Sequence, residues 1–377
     1  MTAVKKVAIA GSGVAGLAAG IQLARAGVEV DLFEGKPELG IGGSGISLQG
    51  NALRVFDALG AWDDIRAAGY AFDGLNLRAP GPGAPVVAAL PELKTGGPDY
   101  PAGMGMPRRD LARILFAHAE KAGVHITFGA HVTAIESDDD GVEVFIDGVS
   151  AGRYDLLIGA DGLNSTVRAL IGIDTKPAST GMGIWRTFVS RPDDVVKSEL
   201  YYGGPAYIAG YTPTGEDSMY AFLVEKAQDR VGVSDEEATR IMLDASRAYD
   251  GPWNAIRADL EAGAPANYTW FTSHIVPAPW NRGRVVVIGD AAHSCPPTIA
   301  QGAAQGLEDA FVLTELLIAN DTIEQSLWDE FHARRLPRAT AVVEASTQLG
   351  QWQLDGDRDA DAGGLIYGIA QKMAEPA

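Results

Sequence analysis

The sequence predicts an α/β fold: a parallel sheet flanked by helices, interrupted by a mainly antiparallel β-sheet domain and finished by C-terminal helices. Three observations carry this reading. The first thirty-odd residues run strand, helix, strand. From about 180 to 275 the pattern changes to short aromatic runs between turn residues. A fully apolar strand then returns at 284–288 and leads into helices. Residues 1–71, 95–178 and 275–377 are assigned to the discontinuous first domain, and 72–94 and 179–274 to the β-rich second.

In chain order, residues 4–10 read as a buried strand, 14–26 as a helix and 28–33 as a second strand. Such a unit forces parallel strands with a right-handed connection. Residues 51–59 and 109–122 read as helices, 141–146 and 156–158 as strands, and Asp138, Asp139 and Asp140 as a solvated turn before Gly141. The segment 79–98 holds Pro80, Gly81, Pro82, Gly83, Pro85, Gly96, Gly97 and Pro98, and reads as a loop or insertion. The aromatic runs at 201–202, 207–211, 219–224 and 268–271 read as antiparallel strands, interrupted by an acidic helix at 234–249. The acidic stretch 355–361 reads as a surface loop.

Composition narrows the function. The 377 residues carry a net charge of −19, with 46% hydrophobic and 21% charged residues, the balance of a globular protein with room for more than one domain. The acidic excess argues against nucleic acid or anionic lipid as partner. A single cysteine, Cys295, excludes a disulfide framework and a cysteine-based zinc site, and the six histidines form no HExxH, so no metal is expected. The apolar stretch 7–24 is broken by Gly11, Ser12, Gly13, Gly16 and Gly20 and shows no cleavage signal, so the expected location is the cytoplasm.

Three motifs carry chemistry. The first, Gly11-Ser12-Gly13-Val14-Ala15-Gly16, follows a strand and opens a helix. Gly11 allows the tight turn, Gly13 the approach of a pyrophosphate, and Gly16 close helix–strand packing, while the helix N-terminus offers free N–H groups. Glu34 ends the next strand, where a carboxylate can accept from an adenosine ribose. Whether the dinucleotide is NAD or FAD stays open at this point. The second motif runs from Asp155 through Asp161-Gly162 to Arg168, and read alone is also a strand, a turn and a helix capped by Asn164 or Ser165. In the third, a buried strand delivers Asp290 to its carboxyl end, His293, Cys295, Pro296 and Pro297 follow, and Gln301-Gly302-Ala303 opens a broadly apolar helix. His293 is expected to pack or cap and Cys295 to fill space.

Taken together, the three motifs resemble the FAD-dependent aromatic hydroxylases, the single-component (group A) flavoprotein monooxygenases of the para-hydroxybenzoate hydroxylase family. The resemblance spans almost the whole chain and implies a Rossmann-like, glutathione reductase-type FAD-binding domain. It implies that Gly11, Gly13, Val14, Ala15, Gly16 and Glu34 hold the ADP half of tightly bound FAD, with Val132 among the cofactor positions. Asp161 and Gly162 match the motif associated with FAD and the nicotinamide donor, Asp290 the ribitol-binding aspartate, and Pro297, Gly302 and Ala303 the stretch lining the flavin ring. Arg108 matches an arginine that contacts the cofactor, with Arg109 as the adjacent alternative, and the run Phe331, Arg334, Pro337, Arg338 matches a C-terminal helix signature. The chain departs from the pattern at Ala300, commonly glycine, and Ala304, commonly asparagine.

The activity this implies is NAD(P)H- and O2-dependent hydroxylation of a small phenolic, hydroxybenzoate-like or N-heteroaromatic compound through a flavin C4a-hydroperoxide, NAD(P)H visiting transiently. A β-rich domain with aromatic faces suits such a substrate. The candidate lining residues are Trp185, Arg186, Tyr207, Ile208, Tyr211 and Phe222, with Tyr220 the favoured contact because it follows Pro213 in a strand–turn–strand pattern resembling that of relatives. Relatives that take aromatic carboxylates often carry an arginine at the position of Ile208. Arg186 and Arg78 are the obvious substitutes, so the substrate is either less polar or a carboxylate bound by Arg186. The subunit is expected as a monomer or homodimer. The alternatives are another flavin-dependent oxidoreductase of this fold (epoxidase, reductase or halogenase), a plain NAD-dependent dehydrogenase, and a redox-silent binding protein. No Trp-x-Trp-x-Ile-Pro stretch supports a halogenase, and a dehydrogenase leaves the second and third motifs unexplained.

Overall fold

The computed structural model describes residues 2–40 and 44–377. Lys6–Ala10 occupies the middle of a six-stranded sheet, parallel to Glu29–Glu34 on one side and to Leu156–Gly159 on the other. His125–Phe128 and Val285–Val287 extend it in the same sense, and Asn281–Arg282 closes one edge antiparallel. Parallel strands are covered on both faces, which is why Val7, Ile9, Leu156, Ile158, Val285 and Val287 form near-continuous apolar runs and are all buried. Helices Val14–Arg25 and Gly302–Ala319 pack against each other through small residues: a Cβ on Gly306 would stand 3.4 Å from that of Ala15.

The second large unit is an eight-stranded sheet around the 13-residue strand Ala178–Ser190, which pairs antiparallel with Ser218–Lys226 and Ala266–Ile275. Part of the 79–98 segment, expected as a loop, is the strand Val86–Leu90, paired with Leu75–Arg78 at the sheet edge. Its proline–glycine cluster makes the connection, while the exposed valines that follow supply a β-branched run. Helix Asp235–Ser246, capped by the Ser234 hydroxyl accepting from the Glu237 N–H, is joined by an unforeseen helix, Trp253–Glu261. Together they cover one face of the sheet, burying Met242, Trp253, Ile256 and Leu260 against Trp185, Tyr211 and Leu223.

A small sheet of Gly45–Gln49, Gly103–Pro107 and Tyr70–Phe72 was also not expected. Its middle strand, Gly-Met-Gly-Met-Pro, has little intrinsic β-propensity. The glycines are used for close approach: a Cβ on Gly105 would meet the Pro213 carbonyl at 2.1 Å. A three-stranded meander turns at Asp138, whose carboxylate accepts the N–H groups of Asp140 and Gly141. The 31-residue helix Gln325–Asp355 and the helix Ala362–Ala374 end the chain. Among the described residues no helix is long and apolar enough to cross a membrane, and no cluster of His, Cys, Asp or Glu could hold a metal ion.

Candidate active site

The glycine loop is held shut on itself. Gly11 has φ +102°, and a Cβ there would collide with the Ala160 carbonyl at 2.4 Å and stand 2.9 Å from the Asp161 Cα. A Cβ on Gly16 would meet the Gly11 carbonyl at 2.0 Å. Gly13 differs: nothing lies within 4 Å of where its side chain would be, and no side chain caps the helix N-terminus that it opens. The free N–H groups of that first turn therefore face open space, the arrangement that binds a phosphate. Glu34 accepts from the Ser12 N–H at 2.9 Å and hydroxyl at 2.6 Å, and from the Lys36 N–H at 2.9 Å. Burial alone would raise its pKa, but these donors hold it below the usual carboxylate range. Val132 is buried close by, one residue past His131, whose ring fills the space over Gly35.

The second motif is chiefly a brace. The Asp161 carboxylate caps helix Thr166–Leu170, accepting from the Ser165 hydroxyl and from the Val167 N–H at 2.9 Å. Each carboxylate oxygen is thus engaged once within the motif, the Ser165 hydroxyl in turn caps the helix by accepting from the Arg168 N–H at 2.9 Å, and the Asp161 backbone meets the glycine loop. Arg168 is buried and donates to the carbonyls of Leu163 and Ala291, each at 2.9 Å, and to His274 at 3.3 Å. It thereby ties the second motif to the third.

In the third motif Asp290 follows Gly289, which has φ +58°. Among the described residues nothing hydrogen-bonds to its carboxylate, which is open to solvent in the recess beside the glycine turn, where Gly289 packs on Ala15. Desolvation by neighbouring protein raises its pKa, with His293 and Arg108 opposing. Arg108 also adjoins the second sheet: its N–H donates to the Ser44 carbonyl at 3.3 Å, next to Gly45, on which Tyr220 packs. Arg109, the alternative, is 59% exposed and faces Asp110. Pro297 starts a short turn, Pro297–Ile299, and Gly302 and Ala303 begin a helix without a side-chain cap. Burial pushes the Cys295 thiol up to about 12, which keeps it protonated and unreactive.

Behind this turn lies a charge cluster that the sequence reading missed. Asp309 accepts from the Gly289 N–H at 2.9 Å, from His293 at 2.6 Å and from Arg335 at 2.8 Å. Glu308 accepts from Arg335, Arg338 and Asn51 at 2.6–3.1 Å. Burial opposes ionisation of Asp309, but His293 and Arg335 outweigh it and hold the pKa at about 2. Arg334, named in the expected helix signature, instead pairs with Glu315 near the surface; its neighbour Arg335 is the buried one. The available signal was spacing: Glu308-Asp309 stands on one apolar helix and Arg335 and Arg338, three apart, on another.

The eight-stranded sheet sorts the substrate candidates by alternation. Arg186, Phe188, Tyr220 and Phe222 share the face opposite the covering helices, with Arg186 paired to Phe222 and Phe188 to Tyr220. Ile208, in register with Val224, lies on the same face in an apolar cluster with Met182, Ile184 and Phe271, against which Tyr207 and Phe222 pack. Trp185 and Tyr211 are corrections: both are buried on the helix-covered face, where Trp185 donates to Glu225 and Tyr211 to Glu199. Arg78 pairs with Glu199 there and is removed as a substrate partner. Tyr220 packs directly over Gly45, where a Cβ would meet its own at 2.7 Å, and its ring stands 5.5 Å from Phe222 and 6.0 Å from Phe188. Burial raises its pKa, opposed by Arg186 and Arg108, so the phenol stays a proton donor.

The recess thus has an open glycine turn, two uncapped helix N-termini and one unpaired carboxylate, a donor and acceptor set that fits the pyrophosphate, ribose and ribitol of FAD. Comparison with known proteins agrees. A family model described as FAD binding domain matches residues 5–346. The chain is 32% identical over 356 residues to the aurachin C monooxygenase/isomerase of Stigmatella aurantiaca, spanning 92% of this chain and 90% of that one. It is 32% identical over 359 residues to 3-amino-4-hydroxybenzoate 2-monooxygenase of Streptomyces cremeus, spanning 92% and 87%. The tetrameric form of 2-methyl-3-hydroxypyridine-5-carboxylic acid oxygenase superposes with a TM-score of 0.81 at 26% identity, covering 98% of this chain and 96% of that one.

Proposed function

Because this chain belongs to the FAD-dependent aromatic hydroxylases, the group A flavoprotein monooxygenases, we propose that it uses NAD(P)H and O2 to hydroxylate a small phenolic, hydroxybenzoate-like or N-heteroaromatic ring. The observation that carries this reading is the join at Ser44–Gly45: Arg108 donates its N–H to the Ser44 carbonyl at 3.3 Å, and Tyr220 of the second sheet packs over Gly45.

FAD supplies the electron relay from NAD(P)H to O2 and the delivery of one oxygen atom. The chain's own residues do the rest. The N–H groups after Gly13 would hold the pyrophosphate, Glu34 the adenosine ribose and Asp290 the ribitol, and the Pro297 to Ala303 turn would line the flavin site. Phe188 and Phe222 flank the substrate and exclude water from it. Tyr220 accepts a hydrogen bond from Arg186 at 2.9 Å and also meets the Ser44 hydroxyl, so its proton would turn from Ser44 to a ring hydroxyl and polarise it.

Substrate-stimulated NAD(P)H oxidation, with oxygen uptake and a hydroxylated product, tests the reading across a panel of phenols, hydroxybenzoates and hydroxypyridines. Oxidation that no aromatic compound accelerates would remove it. Asp290→Ala tests the cofactor assignment: with no partner in the protein to lose, it should weaken FAD binding by about 10–100-fold and leave the fold intact.

A further inference from the structure

We infer that Arg186 is the anion anchor of the substrate site, so that the aromatic substrate carries a carboxylate; the inference rests on the aromatic-site reading above. In a chain of net charge −19, the Arg186 guanidinium is bonded only to neutral hydroxyls: Nε donates to Tyr220 at 2.9 Å and Nη1 to Thr269. Among the described residues no carboxylate pairs with it. It is half-buried, on the same sheet face as half-buried Phe188 and Phe222, so its remaining N–H donors border an apolar aromatic surface. A partly desolvated guanidinium without a counter-charge is a site for an incoming anion, and its planar fork matches a carboxylate.

The register also shows why this position can take over from the one at Ile208. Ile208 is in line with Val224 and Ile184 and is absorbed into the Met182–Phe271 cluster. Arg186 lies one row along, in line with Phe222 and Gly210. Gly210 has no room for a side chain, since a Cβ there would meet Phe222 and Leu200 at 2.7 Å. The cation has therefore moved two strands across, on the order of 10 Å at ordinary strand spacing. The carboxylate would sit on the remaining N–H groups of Arg186, beside the Tyr220 hydroxyl that its Nε already holds at 2.9 Å.

The test is titration of the FAD-loaded protein, following the visible flavin spectrum, with 3- and 4-hydroxybenzoate and with their neutral carboxamides. The acids should bind at least about tenfold more tightly than the amides. Arg186→Met should bring the two within about twofold of each other without changing FAD affinity, Arg186→Lys should keep part of the preference, and Tyr220→Phe should keep most of it. The last variant separates a charge effect from a role in merely orienting Tyr220. Amides binding as well as acids, or an acid preference that survives in Arg186→Met, overturns the inference and leaves the monooxygenase reading standing. A spectrum unmoved by every probe overturns the aromatic site, and the anchor with it.

Discussion

Arg335 and Arg186 are both held by hydrogen bonds in this protein, yet their surroundings are opposite. Arg335 is fully buried beneath the Gly289 turn and answered by two carboxylates, Glu308 and Asp309, with Arg338 completing the balance. Arg186, on the open face of the eight-stranded sheet, is half-buried and answered only by hydroxyls. A charge taken wholly out of water must be paired where it lies, because desolvation costs several kcal/mol per ion. A charge left partly wet can be matched later, by a ligand. Arg168 is an intermediate case: buried, but compensated by two carbonyl dipoles and one neutral imidazole. The kind of partner thus separates the cation that builds the cofactor floor from the one available to substrate.

The largest expected effect tests the closed end of that contrast. Arg335→Met leaves Glu308 and Asp309 buried with too little positive charge and should cost about 3–5 kcal/mol in chemical denaturation. Asp309 also holds the Gly289 N–H, so FAD affinity should fall as well. Arg186→Met should change stability by less than about 1 kcal/mol, its effect being confined to ligand binding. Equal stability losses in the two variants would dissolve the distinction.

The intermediate case is sensitive to pH. Burial, the charge of Arg168 and that of His293 lower the His274 pKa from 6.5 to about 4. The folded protein therefore binds fewer protons at this site than the unfolded chain. The stabilisation is complete above pH 6.5 and lost as pH falls towards 4, up to about 3 kcal/mol over that window. Urea melts across the window should show the decline, and His274→Gln, which keeps an acceptor for Arg168 but cannot titrate, should flatten it. A slope unchanged in that variant would mean that another group carries it.

How much of this was legible in the sequence follows from the same physics. The cofactor floor could be read because glycine spacing, strand ends and helix starts are local: Gly11 and Gly16 are needed for contacts within a few residues or across one strand. The buried cluster was not read, because its members come from positions 51, 289, 293, 308–309, 335 and 338, and one polar residue on an apolar helix does not announce its partner. On the substrate sheet the residue types were visible but not the facing. Trp185 and Arg186 are neighbours in sequence and point to opposite sides, so a candidate set drawn from aromatic content mixed core with lining. Alternation along 182–190, anchored on Tyr220, would have separated them and would have added Phe188.

The smallest predicted effect lies where the floor meets the flavin-lining turn. Ala300 adopts φ +53°, ψ 32°, a left-handed conformation at the position where the chain departs from a common glycine. An L-residue there costs about 1–2 kcal/mol, while glycine loses about 0.4–1 kcal/mol more conformational freedom on folding. The difference leaves Ala300→Gly more stable by about 0.5–1 kcal/mol, a shift that the denaturation midpoint can resolve. The substitution keeps every hydrogen bond of the turn, whose Ala300 N–H reaches the Pro297 carbonyl at 3.2 Å, so FAD affinity should not change. A gain in stability accompanied by weaker FAD binding would show that the strained alanine holds the turn in a shape the flavin needs, and the partner rule drawn from the arginines would then have to be joined by one for the backbone.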